Sequence, residues 1–141
     1  MFQSRKASIL MVLFSMGALI GLLTACGVIS TEGPTATCAA NTAQIAVFDT
    51  GMKRVCGCAE GSGQFFSTSG GLLCTINLGT VVYFNYVGIT NSHQITIQSL
   101  TTLPLRSASS STQTDGWSFT STGTFTFQDI YTTIGGTFTV H

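Results

Sequence analysis

The stretch from Leu78 to Leu100, LGTVVYFNYVGITNSHQITIQSL, limits what this chain can become more than any other. Val81, Val82, Tyr83, Phe84 and Tyr86 form a β-branched and aromatic run, which predicts a strand buried on both faces. Gly88 and Asn91-Ser92 supply turn chemistry. Ile95 and Ile97 then alternate with Thr96 and Gln98, which predicts a second strand with one buried face. His93 stands where the loop re-enters the sheet. A strand pair of this kind needs further strands to cover it.

Several runs qualify. Gln44 to Asp49 reads as a short strand, and Thr50 to Gly63 as a turn-rich loop holding Lys53, Arg54 and Cys56-Gly57-Cys58. Gln64 to Ser67 reads as a short edge strand, and Leu72 to Asn77 as a further strand. Leu103-Pro104-Leu105 closes the central pair. Ser107 to Gly116 is polar and reads as a surface loop. Trp117 and Phe119 alternate with Ser118 and Thr120. Phe125 and Phe127 alternate with Thr124, Thr126 and Gln128. Gly135-Gly136 turns the chain into Thr137 to Val140. About eight short β segments, frequent turn signals and no helix after Cys26 predict an all-β sandwich or Greek-key barrel. Phe84, Trp117, Phe119, Phe125, Phe127 and Phe138 are its expected aromatic core.

Charged residues make up only 7% of the 141 residues. From Cys26 onward there are three basic side chains (Lys53, Arg54, Arg106) and five acidic ones (Glu32, Asp49, Glu60, Asp115, Asp129), a balance of −2. No basic patch exists to hold a polyanion, which excludes nucleic acid as a partner. Of the five cysteines, Cys26 belongs to the N-terminal segment, leaving Cys38, Cys56, Cys58 and Cys74. In an exported domain an even set implies two disulfides. Cys56 and Cys58 are badly placed to pair with each other, so Cys38 and Cys74 each take one of them, in either order. The alternative for Cys56, Cys58 and Cys74 is a soft Cu(I) site.

Arg5 and Lys6 precede an apolar run from Ile9 to Leu23, interrupted by Ser15 and two glycines, and Leu23-Thr24-Ala25-Cys26 follows directly. The order of charge, apolar core and small residues before cysteine resembles the bacterial lipoprotein signal. The run is short for a membrane span and ends in small residues. The resemblance implies that residues 1–25 are removed and that Cys26 carries a diacylglycerol thioether. The protein would then be tethered to the cell membrane or outer membrane, facing outside the cytoplasm. Residues 26–42, rich in Gly, Ser, Thr and Ala, read as a flexible stem. Residues 43–141 are the expected sandwich.

The later strands resemble those of cupredoxins. Gly79-Thr80-Val81-Val82-Tyr83-Phe84-Asn85 is similar to the family's Gly-Thr-x-Val-x-Phe strand and its Asn, and His93 opens the following strand as a copper-ligating His does. Gly123 to Asp129 and Gly136 to Val140 are similar to the two closing strands. The resemblance covers about Leu72 to Val140 and implies a cupredoxin-like Greek-key β-sandwich. A blue-copper centre takes two imidazoles and a thiolate, usually with a weak axial thioether. Here His93 matches the first ligand, Asp129 stands in the cysteine position, residues 130–133 hold no His, and Ile134 stands where Met is expected.

Without a thiolate, a one-electron carrier of this type is not expected, and a fold can be inherited without its site. His93 and Asp129 remain candidate ligands for a weakly held divalent ion, or His93 is a polar loop residue bonded to its neighbours. His141 is a further candidate at a frayed terminus. No nucleophile–base grouping, phosphate loop or close carboxylate pair appears, so no enzyme is expected. The sequence therefore points to a lipid-anchored binding or interaction module with no cofactor. Its partner would be an envelope protein or a small ligand. The alternative is a copper-binding or electron-transfer protein with an unconventional site.

Overall fold

The computed structural model describes residues 36–109 and 111–141. The expected signal segment 1–25, the lipidated Cys26 and the stem as far as residue 35 lie outside the described residues.

Among the described residues, ten strands form two five-stranded sheets. The first sheet contains β1 (Thr42–Phe48), β2 (Gly51–Cys56), β3 (Phe65–Phe66), β5 (Val81–Tyr86) and β8 (Gln113–Ser118), in the order β3-β2-β1-β5-β8. The second contains β4 (Leu72–Ile76), β6 (Ile95–Ile97), β7 (Thr101–Thr102), β9 (Gly123–Asp129) and β10 (Gly135–Val140), in the order β4-β10-β9-β6-β7. β1 runs parallel to β5, and β10 parallel to β4; every other pairing is antiparallel. The chain enters the second sheet at β4, returns to the first at β5, and ends in the second. This is the expected all-β sandwich.

The core sits between the sheets. Val82, Phe84 and Tyr86 point inward from β5 with no exposed surface. Phe84 meets Phe127 edge-on at 5.6 Å and Phe138 at 6.2 Å, while Phe127 stacks on Phe138 at 4.5 Å. Such aromatic pairs add to the burial of apolar area. Phe119 is buried with them, whereas Trp117 and Phe125 pack against the core while half-buried. The outer side of β5 differs from the expected two-sided burial. Val81, Tyr83 and Asn85 are only half-buried, because nothing covers the outer face of this sheet as fully as the second sheet covers its inner face.

Two segments read as loops are strands. β2 lies inside the expected loop Thr50–Gly63. Its consecutive Lys53 and Arg54 hide the alternation: Lys53 is exposed, while Arg54 is 5% exposed. Arg54 is held by donation to the Leu73 carbonyl at 2.7 Å and to Gln64 Oε1 at 2.8 Å, with the Phe66 ring 5.2 Å away. β8 begins inside the expected polar loop Ser107–Gly116 and buries Asp115, which accepts from Arg106 Nε at 3.0 Å and from its Nη2. Buried charge is tolerated here because it is paired. β1 starts at Thr42, the last residue of the expected stem.

Disulfides join Cys38 to Cys56 and Cys58 to Cys74. The first pins the chain entering β1 to the end of β2, and the second joins the turn after β2 to β4. The outer edge of β4 is then covered: Ala59 N donates to Thr75 O at 3.0 Å, and Thr75 N donates to Glu60 Oε2 at 2.9 Å. A covered edge cannot template pairing with another chain. Gly57, at φ +82°, makes this possible, since a Cβ there would lie 2.2 Å from the Thr42 carbonyl.

Candidate functional site

Three chain segments converge at one end of the sandwich. β1 and β5 are parallel, so Asp49, just after β1, and the loop after Tyr86 leave the first sheet at the same pole. β6 and β9 are antiparallel with Ile95 opposite Asp129, so His93 and Asp129 reach that pole from the second sheet. The His93 backbone is fixed by an isolated bridge, giving and taking hydrogen bonds with Arg106 at 2.9 Å.

His93 has no exposed surface. Its Nδ1 lies 2.5 Å from Asp129 Oδ2, and its Nε2 lies 2.9 Å from Asp49 Oδ1. The imidazole therefore bridges a carboxylate from each sheet. An ionised carboxylate only accepts hydrogen bonds, so both contacts are satisfied together by the imidazolium, which donates from both nitrogens.

Both carboxylates are further supported. Asp129, also without exposed surface, accepts from Gln94 N and Tyr131 N at 3.1 Å and from the Thr132 hydroxyl at 2.9 Å. Asp49 is partly exposed and accepts from the Thr90 hydroxyl at 2.5 Å, from Thr90 N at 2.9 Å and from Asn91 N at 3.1 Å. The Thr90 hydroxyl first, and then His93, hold the Asp49 carboxyl well below the usual carboxylate range. The Tyr86 ring lies 6.3 Å from the imidazole. Burial first, then the charge of Asp115, pushes its phenol above the usual range.

The two expected site residues thus come together, and a third that the sequence reading did not single out, Asp49, joins them. Its signal was its position: an acid at the end of a strand that runs parallel to the central one.

The arrangement does not fit a copper centre. The two carboxylates flank opposite edges of the ring, so their oxygens do not converge with an imidazole nitrogen on one point. Among the described residues no group of three or more His, Cys, Asp or Glu is placed to hold a metal ion. Ile134, at the expected Met position, is buried, and its carbonyl accepts from Asp129 N at 2.8 Å. The four described cysteines are all in disulfides. His141 follows β10 to the opposite pole. Its backbone is not frayed: its N–H donates to the Ile76 carbonyl at 3.1 Å, and its carbonyl accepts from Leu78 N at 2.7 Å.

No protein-family model matches the sequence, and no curated protein matches it. Among solved structures, the chain is similar to a purple cupredoxin from Nitrosopumilus maritimus. Identity there is 16%, with 70% of this chain and 99% of that one covered, and a TM-score of 0.48. It is similar to auracyanin from Roseiflexus castenholzii at 12% identity, covering 74% and 99%, with a TM-score of 0.46. It is also similar to rusticyanin from Thiobacillus ferrooxidans at 12% identity, covering 74% and 80%, with a TM-score of 0.47.

Proposed function

We propose that this protein is a lipid-anchored, extracytoplasmic cupredoxin-like binding module with no type 1 copper centre and no enzymatic activity. The observation that carries this reading is the state of His93: each ring nitrogen is engaged by a carboxylate, and neither lone pair is presented to a metal. The pole where a blue-copper protein keeps its metal is filled instead by a hydrogen-bonded cross-sheet clasp. Such a clasp fixes the loops that leave both sheets there and makes a rigid platform. The tether is supported by the charged, apolar and small residues that lead to Cys26.

Titration of the full chain in neutral detergent with Cu(II) and with Cu(I) tests this. The expected result is substoichiometric metal after gel filtration and no intense thiolate-to-copper absorption. The same titration decides the alternative, a copper ion held by His93 and Asp129 after the imidazole has lost a proton. Stoichiometric copper that is absent in His93→Ala overturns the reading.

A further inference from the structure

The second sheet turns one face to the core and the other outward, and the outward face has an unusual chemistry. Pairing places Thr75, Thr139 and Thr124 in one row across three strands, with the Thr75 hydroxyl donating to the Glu60 carboxylate at the β4 edge. Thr137 and Thr126 stand in the next row, with the exposed Leu73 beside Thr137. Thr96 faces Thr102 on one side and Gln128 on the other. Neighbouring strands lie about 4.8 Å apart and successive outward residues about 6.7 Å apart, so the hydroxyls form a dense array. Asp129 is the sole charged residue in these five strands, and it is buried on the opposite side.

This face is hollowed. An open groove of about 290 Å³ runs over it, with Ser69, Thr96, Gln98, Thr126, Gln128 and Thr137 among its lining. Ile130, 51% exposed, forms an apolar stretch of its wall. Gln98 Oε1 accepts from the Thr126 amide at 3.1 Å, which leaves its amide nitrogen to donate outward. Gln128 Nε2 donates to the Thr133 carbonyl at 3.1 Å, which leaves its oxygen to accept. The Thr126 and Thr137 hydroxyls, paired across the strands, add groups that both donate and accept.

We propose that this groove binds a neutral polysaccharide, an assignment that rests on reading the protein as an envelope binding module and names its ligand class. A sugar chain presents hydroxyls that donate and accept, and C–H faces that lie on aliphatic surface. The groove offers both. An ionic polymer finds no charged side chain in the groove's lining, and an apolar ligand would strand the hydroxyls and amides without partners.

Affinity electrophoresis of the full chain in neutral detergent tests the assignment, using gels cast with β-glucan, mannan or dextran and with dextran sulfate as the charged comparator. Retardation by at least one neutral polymer is expected. The Thr126→Val/Thr137→Val double variant keeps β-branched side chains on the strands, and it should bind about tenfold more weakly or worse. The Thr126→Ser/Thr137→Ser variant should retain binding. Mobility unchanged in every neutral gel overturns the proposal. So does retardation by dextran sulfate alone, or retardation that the Val variant keeps. A dimer that forms without polysaccharide and is lost in the Val variant also overturns it, by making the face a self-association surface. Copper plays no part in this readout. A protein free of copper and unretarded refutes the ligand class alone, whereas stoichiometric copper at His93 refutes the module reading.

Discussion

Replacing His93 by Ala should be among the most costly single changes in this domain, and the geometry sets how costly. Removal of the ring leaves Asp129, which has no exposed surface, without its shortest contact. Taking one partner from a buried ion pair costs about 3–5 kcal/mol. Asp129 keeps three other donors, from Gln94, Tyr131 and Thr132, which places the expected loss near the low end, about 3 kcal/mol. Asp129→Asn should be far milder. The Asn amide can donate to His93 Nδ1, the neutral imidazole can still donate from Nε2 to Asp49, and the Thr132 hydroxyl can accept instead of donate. The expected loss is about 1 kcal/mol.

Urea denaturation at pH 7 with disulfides intact separates the two variants. With a slope of about 1.5 kcal/mol/M, the midpoint should fall by about 2 M in His93→Ala and by less than about 1 M in Asp129→Asn, with slopes unchanged. Since the contacts are buried, added salt should alter neither difference much. Equal shifts in the two variants, or no shift in His93→Ala, would refute the idea that a bridging imidazole holds the sheets together at this pole.

Further outcomes follow from other parts of the structure. Asp49 is held below its ordinary value of 3.8, so its contribution to stability is fully present above about pH 4 and is lost as pH falls below that. Thr90→Val should flatten the fall in urea midpoint between pH 5 and pH 3, and an equal fall in both proteins would refute the role given to the Thr90 hydroxyl. The Cys58→Ser/Cys74→Ser variant opens a loop of 16-residue separation and should lose about 3 kcal/mol by calorimetry. Thiol counting on the denatured wild-type chain should find Cys38, Cys56, Cys58 and Cys74 unreactive. Cys26→Ser should abolish metabolic labelling with a fatty acid and release the protein from the membrane fraction; labelling that persists would refute the tether.

What could be read from the sequence, and what could not, divides along a physical line. β9 and β10 were legible because burial on one face imposes an alternation that a single strand displays by itself, whereas β5 was legible as a strand from its β-branched and aromatic run, which hid the half-buried outer side. β2 and the first part of β8 were not, because each buries a charge, Arg54 and Asp115, whose cost is offset by residues outside the strand: Leu73 and Gln64 for one, Arg106 for the other. A local reading assigns such residues to solvent, and only the fold reveals the partner.

The same holds for the candidate site. His93 and Asp129 could be paired from strand order, since both stand at strand ends that this topology brings to one pole. Asp49 stands at such a strand end too, but its role depends on contacts that the sequence does not display: the backbone bridge of His93 to Arg106, and the Thr90 and Asn91 amides that donate to the Asp49 carboxylate. The distinction has consequences for function. Two carboxylates on one side of an imidazole would make a metal-ligand set, whereas two on opposite sides make a clasp. Ligand identity alone does not separate the two cases; the direction in which each ring nitrogen points does.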